Sequence, residues 1–277
     1  MEKKQTIKLD LDEKSVKKIT DFLTGIKADF NISISNYTTK IETAKKNFYF
    51  VKTLQSNRTF AAATMIKKDL QGKAIPVIDS NNNLYYSCMK TGDFYSDKIH
   101  NVDINNCYAN ILKNNGLITQ KTFDYLNTLK KPERLAAIGS IASKKSVYTY
   151  VDGKIIKEEE INNPNANFFY FCVQETNRII SEVRHNVLFD EFVFYWVDGI
   201  YFLNEFSGAV VQNYLKSKYN LESKKKELTD FNLVRMDDFN DITFLEDGKR
   251  KKFCVPADVP KYKKQITNYL LTKTYKK

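Results

Sequence analysis

From Phe192 to Phe202 the chain reads Phe192-Val193-Phe194-Tyr195-Trp196-Val197-Asp198-Gly199-Ile200-Tyr201-Phe202, apolar or aromatic apart from Asp198 and Gly199. Such a run must be buried, yet it is far shorter than the roughly 20 residues a membrane helix needs. Its β-branched and aromatic content, with a turn residue inside, predicts a buried hairpin spanning 189–202 with Asp198 at its tip. A lone carboxylate there is costly unless paired or bound to metal. A second aspartate, Asp103, stands in Val102-Asp103-Ile104-Asn105-Asn106-Cys107-Tyr108-Ala109-Asn110-Ile111, where a strand gives way to a helix. Two carboxylates brought together repel, and a divalent cation relieves the repulsion. The pair therefore points to metal-assisted chemistry on phosphate.

The chain has 277 residues, 42% hydrophobic and 28% charged, the profile of a globular protein with a sizeable core. No apolar run is long enough to span a bilayer. Met1-Glu2-Lys3-Lys4-Gln5 leads into polar sequence rather than a signal peptide, so a cytoplasmic location without membrane attachment is expected. Cys88, Cys107, Cys172 and Cys254 are widely spaced among apolar neighbours, as buried free thiols are, and form no zinc pattern. With His100 and His185 the only histidines, a histidine-based triad or metal site has little to draw on. The net charge of +11 is uneven: residues 249–277 hold ten Lys and Arg against the single acid Asp258. Such an end suits a polyanion, nucleic acid above all, although a solvated tail has the same composition.

The chain divides into a mixed α+β region over 1–100, a second region over 101–255 that carries both aspartates, and a basic tail over 256–277. Ile7, Leu9 and Leu11 alternate as in a strand, and Val16, Ile19, Phe22, Leu23 and Ile26 recur as on a helix. Strands are predicted over 30–37, 47–54 and 74–89, the last interrupted by a turn at Asp79-Ser80-Asn81-Asn82-Asn83. Helices are predicted over 108–113, 119–129 and 133–143, with Gly116 stopping the first and Pro132 opening the third. Val147–Ile161 reads as a hairpin about Asp152-Gly153, and 242–255 as another about Asp247-Gly248. Asn165 or Asn167 can cap a long helix carrying Phe168, Cys172, Ile179 and Val183, and 207–219 is helical.

These segments resemble a known family. Asp103-Ile104-Asn105-Asn106-Cys107-Tyr108-Ala109-Asn110-Ile111 looks like the first palm motif of family B DNA polymerases, Asp-x-x-Ser-Leu-Tyr-Pro-Ser-Ile. Trp196-Val197-Asp198-Gly199 is similar to the third motif, Asp-Thr-Asp-Ser, with Asp198 in the place of its second aspartate. Arg134-Leu135-Ala136-Ala137-Ile138-Gly139-Ser140-Ile141-Ala142 resembles the second motif, Lys-x-x-x-Asn-Ser-x-Tyr-Gly. Arg250-Lys251-Lys252-Phe253 resembles the Lys-Lys-Arg-Tyr element that grips the primer–template. All four occur in the family's order, over about 95–255.

The resemblance implies an α+β polymerase-type palm: an antiparallel sheet with helices mainly on one face, stunted fingers and little or no thumb. It implies that Asp103, Asp198 and the Ile104 carbonyl hold two Mg²⁺ ions, with Mn²⁺ as an alternative, in a two-metal mechanism. Arg134 and Lys130 would bind the nucleoside triphosphate, and Tyr108 would pack under its sugar and favour a DNA product. Lys249, Arg250, Lys251, Lys252 and Phe253 would meet the primer–template. The chain departs from the family at Trp196, at Asn106 and Ala109, and at Ile138, Ile141 and Ala142. The expected activity is extension of a primer 3′-hydroxyl, with partner proteins supplying the missing thumb or exonuclease. The rival is a weak or inactive palm serving as a nucleic-acid-binding replication subunit, and a nuclease using the same carboxylates is a third option.

Overall fold

The computed structural model describes residues 5–35, 38–51, 57–78, 86–88, 92–236 and 239–256. In chain order they form β1 (Gln5–Asp10), α1 (Glu13–Gly25), β2 (Phe30–Ser35), β3 (Thr38–Thr43), β4 (Lys46–Val51) and α2 (Asn57–Leu70). Then come β5 (Tyr86–Cys88), β6 (Phe94–Ile104), α3 (Cys107–Asn114), α4 (Gln120–Asn127), α5 (Lys131–Gly139), β7 (Lys145–Val151) and β8 (Lys154–Ile161). The remainder is α6 (Ala166–Val183), β9 (Phe192–Trp196), β10 (Gly199–Phe202), α7 (Ser207–Tyr219), β11 (Ser223–Arg235), β12 (Phe239–Glu246) and β13 (Lys249–Pro256). The architecture is α+β, as the sequence predicts.

Two compact units emerge, one of Met1–Pro76 with Leu117–Phe169, the other of Val77–Gly116 with Tyr170–Lys277. Each is built from two stretches of chain, unlike the contiguous division at residues 100 and 255 drawn from sequence. Position 100 lies inside β6, and a boundary there would split a continuous hydrogen-bonded ladder.

The first unit holds a six-stranded sheet in the order β1-β4-β3-β2-β7-β8, parallel only between β1 and β4. Leu23 of α1 meets Phe30, Ile32, Ile41 and Phe50 in its core. Asp12 caps α1, its carboxylate accepting from the Lys14 and Ser15 amides at 3.2 and 3.1 Å. Helices α2 and α4 are tied at both ends: Asp69 accepts from the Thr119 amide at 2.8 Å, and Arg58 donates to the Thr128 carbonyl at 2.9 Å. The hairpin β7–β8 turns at Asp152-Gly153, both at positive φ (50° and 71°), the type I′ pattern predicted. A Cβ at Gly153 would also lie 2.5 Å from the Thr24 carbonyl oxygen, so only glycine fits.

The second unit holds a seven-stranded sheet in the order β13-β12-β11-β6-β10-β9-β5. Side chains alternate along each strand and cross-strand partners share a face. One face carries Ile99, Phe194, Tyr201, Leu228, Phe231, Leu233, Ile242 and Phe244, which form a single buried cluster. Phe253 on edge strand β13 stacks on Trp196 of β9 with ring centroids 6.2 Å apart, although four strands lie between them. The sheet is therefore strongly curled, and this face is its concave side. The opposite face takes the helices: Gly208 of α7 lies so close to the Lys225 side chain that a Cβ would meet its Cδ at 2.7 Å.

Several elements differ from the sequence expectations. Of the strand expected over 74–89, residues 86–88 form β5 and 73–78 are irregular, while 79–85 and 89–91 lie outside the described residues. Strands β3 and β11 and helix α2 were not anticipated. The tail from 257 onward, and with it most of the expected basic segment, also lies outside the described residues.

Candidate catalytic carboxylate site

Strands β6 and β10 pair antiparallel, with Asp103 opposite Gly199 and Val102 opposite Ile200. The Ile104 amide donates to the Asp198 carbonyl at 3.0 Å, closing the ladder beside both aspartates. The two carboxylates expected to act together thus stand at one end of neighbouring central strands. Both are half-buried. Both push up the Cys107 thiol, adding to the larger effect of its burial. The Tyr201 hydroxyl is likewise raised, first by burial and then by Asp103, Glu246 and Asp198. One neighbourhood therefore contains Asp103, Asp198 and Glu246, the last missed by sequence reasoning because it lies far along the chain in β12.

Asp198 stands at the tip of its hairpin, as expected. Gly199 already pairs with Trp196, so Val197 and Asp198 are the two turn residues. Val197 has φ +56° while Asp198 is absent from the positive-φ residues, the sign pattern of a type II′ turn rather than I′. A β-branched residue in this conformation is strained. The other aspartate is followed by Asn105 and Asn106, and Asn106 takes φ +49°, a conformation that asparagine tolerates better than most residues. The Asn110 side chain donates to the Asn105 and Asn106 carbonyls at 2.8 and 3.3 Å, fixing the step from β6 into α3. Behind it, Cys107 and Thr176 hydrogen-bond at 3.3 Å, and Cys107 and Cys172 are buried free thiols, as expected. The side chains of Cys88 and Cys254 lie outside the described residues.

The Asp103 carboxylate has no hydrogen bond or ion pair among the described residues, and no cluster of three or more His, Cys, Asp and Glu among them is arranged to hold a metal ion. The donor set on offer is two carboxylates and backbone carbonyls. All are hard oxygens, which suit Mg²⁺ because it takes one or two carboxylates and fills its shell with water and phosphate.

Tyr108 sits half-buried on the first turn of α3, in the same unit as the aspartates. Arg134 and Lys130 belong to the other unit. The Arg134 guanidinium donates to the Leu129 carbonyl at 3.2 Å, and partial burial lowers its pKa. Lys130 is exposed just before α5, where its amide donates to the Glu133 carboxylate at 3.0 Å.

The basic segment on β13 is split between the two faces. Lys251 pairs with Phe244 and Phe253 with Ile242, so Lys251, Phe253 and Lys249 share the concave face. Arg250 and Lys252 point the other way, bound to Asp230 at 2.5 Å and Asp241 at 3.0 Å. The five residues expected to meet the primer–template therefore do not share one face, because neighbours in a strand face apart.

No family model matches the chain, and no curated protein matches it. No helix among the described residues is long and apolar enough to cross a membrane.

Proposed function

We propose that the protein is a metal-dependent nucleotidyltransferase of the DNA polymerase type, with the unit containing β6, β9 and β10 serving as its palm. The observation that carries this is the pairing of Asp103 with Gly199, closed by the Ile104 amide on the Asp198 carbonyl. It supports the reading by bringing the backbone of Asp103 beside that of Asp198 and Gly199 at one end of neighbouring strands. Asp103 and Asp198 would hold Mg²⁺, which when bound neutralises charge on a reacting triphosphate.

The chain's own residues supply position. The Asn110 bonds and the Ile104 amide fix the backbone beside both half-buried aspartates. Tyr108, beginning α3 five residues after Asp103, would pack under the sugar of the incoming nucleotide. The reaction would be attack of a primer 3′-hydroxyl on the α-phosphate with release of pyrophosphate. Substrates of that kind fit a cytoplasmic protein. The proposal does not lean on Arg134 or Lys130.

A binding subunit without activity is the second reading, favoured by Trp196. The resemblance places an aspartate there, and its ring is instead stacked on Phe253. Mg²⁺-dependent primer extension by wild type, lost in Asp198→Asn and Asp103→Asn, is the expected result. No extension by wild type, or extension undiminished in both variants, would sink the proposal. Salt-sensitive DNA binding without extension would favour the binding subunit, and shortened primers would reveal a nuclease.

A further inference from the structure

Strand β11 opens with Lys224-Lys225-Lys226-Glu227, a charged run in which no alternation is visible. Its pairing with β6 resolves the run: Lys224 lies opposite Asp103, Lys225 opposite Val102 and Lys226 opposite Asn101. Cross-strand partners share a face, so Lys224 and Lys226 stand with Asp103 on the concave side. Lys225 faces the other way, where its ammonium donates to the Glu205 carbonyl at 2.9 Å. Lys226 is paired with Glu246, itself on the concave side. The concave rim therefore carries three exposed lysines, Lys224, Lys249 and Lys251, that have no ion pair among the described residues. The basic residues at this end that point away, Lys225, Arg250 and Lys252, are all engaged with acids or carbonyls.

The register steps the three along the concave face: Lys224 is level with Asp103, Lys249 lies opposite Glu246 and so near the level of Leu228 and Ile99, and Lys251 lies opposite Phe244 and so near that of Phe231 and Ser96. Asp103 is next to last in β6, Lys224 is second in β11, and Lys249 and Lys251 open β13, antiparallel to β12. The row continues past Gly199 to Trp196, whose ring meets Phe253. Lys224 thus stands beside Asp103, Lys249 and Lys251 continue diagonally away from it on the same face, and the Trp196–Phe253 pair joins the two sides of the curled sheet.

We propose that Lys224, Lys249 and Lys251 form a track for the phosphate backbone of a nucleic-acid strand leading to Asp103, and that Arg250 and Lys252 take no part in it. A polyanion is the occupant that the charge selects: three uncompensated ammonium groups on one face attract repeating phosphates, whereas the paired cations on the other are already neutralised. Lys224 is the key member, because it is the cross-strand neighbour of Asp103 and binds the phosphate nearest the site. The proposal rests on the nucleotidyl-transfer reading for what happens at Asp103, but not for the binding itself.

The test uses the full chain and a fluorescently labelled primer–template duplex, with affinity measured by anisotropy over a salt series. Each phosphate contact contributes about 0.9 to the slope of log affinity against log salt. Lys224→Ala and Lys251→Ala should each reduce the slope by about that amount. Lys224→Arg should restore it, and Arg250→Ala and Lys252→Ala should leave it unchanged, with thermal unfolding confirming that each variant is folded. A slope indifferent to Lys224, or lowered equally by Lys252→Ala, overturns the track. Primer extension separates this from the reading beneath it. A Lys224-dependent slope in a protein that extends no primer keeps the track and removes the polymerase, while extension with an indifferent slope does the reverse.

Discussion

Single residues decide how the carboxylates are presented. The chain has three Asp-Gly pairs at hairpin ends, and two of them, Asp152-Gly153 and Asp247-Gly248, form the turn with both residues at positive φ. The third is not the turn, because Gly199 is taken into β10 and Val197 assumes the positive φ. That conformation costs of order 1–3 kcal/mol, and glycine at the first position of a type II′ turn removes it. Against this stand the entropy glycine loses on folding and the half-buried Val197 methyls. Val197→Gly is expected to raise stability by about 0.5–1 kcal/mol, read from the urea midpoint at unchanged m-value. A midpoint that falls would mean the valine is not strained. That Asp198 lies at the tip is legible from local turn propensity, while the register that draws Gly199 into the ladder depends on β6.

At the scale of elements, the helices behind the sheet are joined through Glu182 on α6. Its carboxylate accepts from Lys218 and Tyr219 of α7 and pairs with Arg178 of its own helix. The bonds from Lys218 and Tyr219 outweigh the cost of burial and hold it down to about 2, from an ordinary 4.5. A carboxylate depressed in the folded state stabilises the fold above its unfolded value and loses that contribution as pH falls through the folded one. Wild type should therefore lose stability between about pH 4.5 and pH 2, and Glu182→Gln should show a flatter profile there. The effect will be modest, since solvent screens the cluster. Thermal unfolding over an acid pH series checks it, and parallel profiles would discount the network. Amphipathic helices such as α1, α6 and α7 were legible because their apolar spacing is local. Strand β11 was not: its first half is charged, and its pairing with β12 shifts register between Thr229 and Asn232, around Asp230 at φ +52°.

For the whole molecule, the net charge of +11 states that a polyanion is favoured without saying where it lies. The three concave-face lysines alone give a salt slope near −2.7, about a fortyfold loss of DNA affinity between roughly 50 and 200 mM salt. That loss is the minimum expected of wild type, since the basic residues after Pro256 can only steepen it. A shallower dependence, measured by anisotropy, would mean that the rim lysines do not meet phosphate.

The amino-acid sequence by itself determined that the chain is α+β, that Phe192–Phe202 is a buried hairpin, and that Asp103 and Asp198 close apolar strands. Each of those follows from period-two or helical spacing among near neighbours. Only the tertiary structure decided that Asp103 faces Gly199, that Lys224 stands beside it, that Phe253 reaches Trp196, and that Lys251 and Lys252 part company. Alternation fixes which residues of one strand share a side, but which strands meet, and in what register, is set by contacts between segments distant in the chain.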